Sequence, residues 1–110
     1  MSEPISVLIV DDHPVVRQGI RMFLETQADI AIVGEAASGR EALLIVQKYV
    51  PDVAIVDLVL PEMSGVEVTH QIRRISPRTQ VVVLTSYDED RYIFPALQAG
   101  AISYILKDVT

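Results

Sequence analysis

The chain has 110 residues, half of them apolar, and a net charge of −6; this fits one globular domain and excludes a disordered segment or one that grips a nucleic-acid backbone through clustered cations. It has no cysteine, which rules out disulfides and thiolate metal sites and makes a reducing cytoplasm the expected compartment. Met1-Ser2-Glu3-Pro4 lacks the basic start of a signal peptide, and no apolar run approaches the roughly 20 residues that span a bilayer, so a soluble protein is expected.

Val7 to Val10 is a short apolar run that reads as a buried strand, ending at Asp11-Asp12. Pro14 then suits the first turn of a helix, with Val16, Ile20, Phe23 and Leu24 on one stripe. Ile30 to Val33, bounded by Asp29 and Gly34, is a weaker strand suited to a sheet edge. Ser38 and Glu41 have capping-box spacing and open a second helix, striped by Leu43, Val46 and Val50 and followed by Pro51. Val53 to Val56 is the third strand, ending on Asp57; Ser64 with Glu67 opens a third helix carrying Val68, Ile72 and Ile75, with Pro77 behind it. Val81 to Leu84 is the fourth strand, ending on Thr85. A fourth helical segment contains Pro95, expected to shorten or kink it, and Gly100 follows. Tyr104 to Leu106 is the fifth strand, with Lys107 next. Strict alternation with short loops implies right-handed crossovers and a doubly wound parallel sheet. One more helix is expected after the fifth strand. Without it, part of one face is left apolar and exposed, which points to a longer native chain or to self-association through the first helix.

The strand ends carry the chemistry. In an open parallel sheet they share one edge, so Asp11, Asp12, Asp57, Thr85 and Lys107 are expected to converge there. Three carboxylates together need a cation, and an all-oxygen ligand set suits Mg²⁺. A carboxylate is also a nucleophile toward phosphorus, with Lys107 and Thr85 available to hold phosphoryl oxygens.

Asp11-Asp12, Asp57, Val83-Leu84-Thr85-Ser86 and Tyr104-Ile105-Leu106-Lys107 are similar, nearly end to end, to the receiver domains of two-component response regulators. That resemblance implies the flavodoxin- and CheY-like strand order 2-1-3-4-5. It also implies a phosphoryl group on Asp57 from a sensor histidine kinase, with Asp12, Asp57 and the backbone carbonyl of Val59 on Mg²⁺ and Asp11 acting through water. Thr85 and Tyr104 become switch residues by position. The longer strings Asp11 to Arg17, Leu84 to Asp90 and Leu106 to Asp108 resemble the LuxR/NarL branch, in which the receiver precedes a helix-turn-helix domain. Transcriptional output through that further domain, and homodimer formation on phosphorylation, are implied by the resemblance alone. The protein is then no enzyme beyond its own phosphoryl transfer and autodephosphorylation.

Taken singly, these residues have blander readings. Asp11-Asp12 could be a helix cap, Thr85 a strand-end hydroxyl, Lys107 a surface charge and Tyr104 a core residue. Asp57 is harder to dismiss, because the apolar Leu58-Val59-Leu60-Pro61 behind it would leave its charge poorly solvated. His13, at a helix start, is expected to point away from the acidic pair and not to be a ligand. Val59 two beyond Asp57, Pro95 inside the fourth helical segment, and Asp108 in place of proline set the chain apart from the common pattern, and Tyr87 stands two beyond Thr85. Val59 and Tyr87 are expected to slow loss of the phosphoryl group, and the Lys107-Asp108 bond is expected to be trans. The rival functions are a Mg²⁺-dependent phosphatase, a flavodoxin-like cofactor binder, and a receiver-like interaction module that takes no phosphate. The first wants two acids spaced two apart after one strand; the second wants a hydroxyl- and glycine-rich loop where Asp11-Asp12 stands.

Overall fold

The computed structural model describes residues 3–86 and 91–107. Within them the elements alternate as β1 Ile5–Val10, α1 Pro14–Glu25, β2 Ile30–Ala36, α2 Gly39–Tyr49, β3 Val53–Asp57, α3 Gly65–Ile75, β4 Gln80–Thr85, α4 Ile93–Gln98 and β5 Ser103–Leu106. All strands pair in parallel, as the alternation implied, in the order β2-β1-β3-β4-β5 that the resemblance implied. The expectations for Tyr87 and for the Lys107-Asp108 bond lie outside the described residues.

Alternate residues of each strand face opposite layers. Leu8, Val10, Ala54, Val56, Val81 and Val83 pack with Val46 of α2 and Val68 and Ile72 of α3 into the larger core. Val7, Ile9, Ile55 and Leu84 form a smaller one with Ile20 and Leu24 of α1. Because both faces are covered at the centre, the central strands read as unbroken apolar runs rather than alternating ones.

Two boundaries differ from the sequence reading. β2 runs on to Ala36, because Gly34 marks a register shift rather than an end: Val7 is opposite Ile32 and Leu8 is opposite Gly34, leaving Val33 as the extra residue. Val50, expected on the helical stripe, caps α2 at φ +46, since the following Pro51 disfavours right-handed helical backbone there. The caps of α2 and α3 are as the spacing implied, with Ser38 Oγ accepting from the Glu41 amide and Ser64 Oγ from that of Glu67, both at 3.2 Å. α4 is short, and Pro95 is its third residue, where no N–H is needed for the helical ladder. No helix among the described residues is long and apolar enough to cross a membrane.

On the α1 side cover is incomplete. Phe23 is 68% exposed and Ile105 48% exposed. They line an apolar cleft of about 570 Å³ with Gly19, Ile20, Leu24, Ile55 and Leu84.

Candidate functional site

The carboxyl ends of β1, β3, β4 and β5 meet at one sheet edge, and main-chain bonds extend the sheet into their loops. The Asp11 amide donates to Ala36 O at 3.0 Å, Leu58 N to Leu84 O at 3.0 Å, and Lys107 N to Thr85 O at 2.7 Å. Asp11, Asp57 and Thr85 are buried, Asp12 partly so. Gly65 makes this packing possible: a Cβ there would run into the Asp57 carbonyl, so α3 begins directly against the end of β3. The sequence reading had given Gly65 no role.

Lys107 Nζ donates to Asp57 Oδ2 at 3.1 Å and lies 3.4 Å from Asp11 Oδ2. The Val59 amide donates to Asp57 Oδ1 at 3.3 Å. One ligand atom from each of Asp11, Asp12, His13 and Asp57 can be chosen so that all lie within 4.8 Å of one another. Thr85 Oγ1 donates to Ser86 O at 3.2 Å and comes from the strand beside Asp57. Tyr104 sits on β5 opposite Val83, with 45% of its surface exposed.

Burial, then the Asp11 charge, push the Asp57 carboxyl up to about 6, against the opposing pull of Lys107 and the Val59 amide. Burial acts to lower the Lys107 pKa, but the hydrogen bond and charge of Asp57, with Asp11, outweigh it and leave it raised.

His13 corrects an expectation. Its Nδ1 turns back onto the acids, 2.9 Å from Asp11 Oδ1 and 3.2 Å from Asp12 Oδ1. The reason is local: Asp11 Oδ1 also accepts the His13 amide at 2.8 Å, folding residue 13 over the carboxylate two positions before it. The hydrogen bond to Asp11 and then the Asp12 charge raise the His13 pKa. His13 is also the N-cap of α1, without a side-chain cap, so the acidic pair does not cap the helix itself.

Even with Lys107 and His13 nearby, Asp11 Oδ2 and Asp12 Oδ1 are buried and accept no hydrogen bond. Each has an ion-pair neighbour, Lys107 Nζ at 3.4 Å and His13 Nδ1 at 3.2 Å, but buried carboxylate oxygens that accept no hydrogen bond keep lone pairs that a cation can use. The donors are oxygens, which suits Mg²⁺. The residues therefore fit the ion.

The receiver-domain model of response regulators matches residues 7–110. The chain belongs to the response regulator receiver family. Among its relatives, this receiver is 48% identical over 102 residues to the uncharacterized transcriptional regulatory protein YhcZ of Bacillus subtilis, covering 93% of this chain and 48% of that protein. It is 50% identical over 103 residues to the response regulator protein VraR of Staphylococcus aureus, covering 94% and 49%. The solved signal receiver domain of NarL from Mycobacterium tuberculosis superposes with a TM-score of 0.91 at 36% identity, covering 99% of this chain and 88% of that one. The LuxR/NarL type read from the loop strings is thereby shown. The receiver spans about half the length of the curated relatives it matches. Receivers are the phosphorylation-dependent signalling modules of two-component systems rather than metabolic enzymes, and they bind Mg²⁺ in an acidic pocket.

Proposed function

We propose that Asp57 accepts a phosphoryl group from the phosphohistidine of a sensor kinase. A carboxylate oxygen of Asp57 forms the new bond to phosphorus while the bond from phosphorus to the histidine nitrogen breaks. Lys107 and the Thr85 hydroxyl hold the transferred oxygens, which is electrostatic and positioning work. Asp12, Asp57 and the Val59 carbonyl would hold Mg²⁺, with Asp11 acting through water. The ion, when bound, supplies positive charge that offsets repulsion between the carboxylate and the incoming group.

The observation that supports this most is the pairing of a buried Asp57 with Lys107 at 3.1 Å beside two buried carboxylate oxygens that accept no hydrogen bond. Tyr104 on β5 and helix α4 would relay the change, with dimer formation following. A helix-turn-helix domain following the receiver would carry the transcriptional output and the DNA contact; the first described relative is itself called a transcriptional regulatory protein. The cytoplasm is the compartment in which such a kinase-fed switch works.

Intact-mass measurement after exposure to a small phosphodonor tests the proposal. One phosphoryl group per chain is expected with Mg²⁺, and none with EDTA or in Asp57→Asn. Modification that survives Asp57→Asn contradicts it.

A further inference from the structure

Arg17 occupies a position that helix electrostatics alone would not choose. It lies in the first turn of α1, where a cation opposes the helix dipole, and only 18% of its side chain is exposed. A guanidinium held there must be answered by its neighbours. Its Nη1 donates to the main-chain carbonyl of Asp11 at 2.6 Å, and its Nε donates to Glu35 Oε1 on β2 at 3.0 Å. The other oxygen of Glu35 accepts from Arg21 Nε at 2.5 Å, and Arg21 Nη1 reaches Glu25 at 2.9 Å. A chain of charge-assisted bonds thus runs from the outside of α1, through the edge strand, to one carbonyl oxygen.

That carbonyl belongs to the peptide unit joining Asp11 to Asp12. These are the two residues whose Oδ2 and Oδ1 are buried without a hydrogen bond. A peptide unit is planar, so fixing its carbonyl fixes the plane and the two Cα positions from which both side chains depart, and leaves only ψ of Asp11 and φ of Asp12 to turn them. We propose that Arg17 is a positioning residue for the cation site: it clamps the Asp11-Asp12 peptide and so aims both carboxylates at Mg²⁺, with Glu35 as its anchor. The proposal rests on the Mg²⁺ reading of the site. If Arg17 merely stapled α1 to β2, it would be equivalent to Arg21, since both pair with Glu35.

The test is a Mg²⁺ titration of the 110-residue chain, followed through the Asp12 and His13 amide resonances, in wild type, Arg17→Met, Arg17→Lys and Arg21→Met, with the urea midpoint of each. Outer groups that orient metal ligands are typically worth about 10- to 100-fold in affinity. Arg17→Met is expected to weaken Mg²⁺ binding by about tenfold or more, and Arg21→Met by less than about threefold at a comparable loss of urea midpoint. Arg17→Lys, which keeps the charge but cannot fork to both acceptors, is expected to stay weak, and it decides the matter if Arg17→Met does not fold. Wild-type affinity in Arg17→Met or Arg17→Lys, or an equal loss in Arg21→Met, overturns the proposal. A wild-type chain that binds no Mg²⁺ overturns the reading beneath it, and the proposal falls with it.

Discussion

At Asp57 the chain holds a carboxylate where burial and a neighbouring acid both disfavour its charge. With its pKa raised to about 6, the folded state keeps a proton that the unfolded state has released. Stability from this group is therefore present at low pH and is lost as pH rises from about 4 to about 6. In EDTA at pH 7, Asp57→Asn is expected to be more stable than wild type by ~1–3 kcal/mol, and the gap should shrink toward pH 4. Saturating Mg²⁺ should close it. Urea unfolding across that pH range checks the sign: a wild type as stable as Asp57→Asn at pH 7 in EDTA contradicts it. Asp57, Asp11, Asp12, Thr85 and Lys107 were legible because each is a polar residue at the end of an apolar run or within two residues of it, and the parallel topology sends those ends to one edge. The direction of His13 was not legible, since it depends on side-chain torsions and on a turn closed by Asp11. Arg17 stood inside a string that marked the branch, and nothing in one-dimensional spacing ties it to a carbonyl six residues earlier.

Among the elements, the end of α2 stores strain. Val50 has a branched side chain at φ +46, where L-residues other than glycine meet their own backbone. It is 41% exposed, so its removal forfeits little burial. Val50→Gly is expected to raise stability by about 1 kcal/mol, read as a higher urea midpoint at unchanged slope. An unchanged or lower midpoint would show that packing of Val50 outweighs its backbone cost. Strand and helix existence followed from apolar periodicity, and helix starts followed from Ser-x-x-Glu spacing. The ends were less legible: Gly34 reads as a stop in sequence but acts as a bulge residue, and Pro51 sets the conformation of the residue before it.

On the scale of the whole molecule, the two sheet faces are unequally covered. The face bearing α2 and α3 encloses the larger core, while α1 leaves Phe23 and Ile105 open beside an apolar cleft. Exposed apolar surface of this kind drives association. Light scattering of the 110-residue chain should show mass rising with concentration, and Phe23→Lys should reduce it; a concentration-independent monomer contradicts the expectation.

The central claim is that Asp57, and not its acidic neighbours, is the phosphoacceptor, and reductive trapping tests it most directly. Borohydride converts an acyl phosphate of aspartate to homoserine at the modified position. After treatment with a phosphodonor and Mg²⁺, peptide sequencing is expected to find homoserine at Asp57. Homoserine at Asp11 or Asp12 instead, or at no position, would contradict the account.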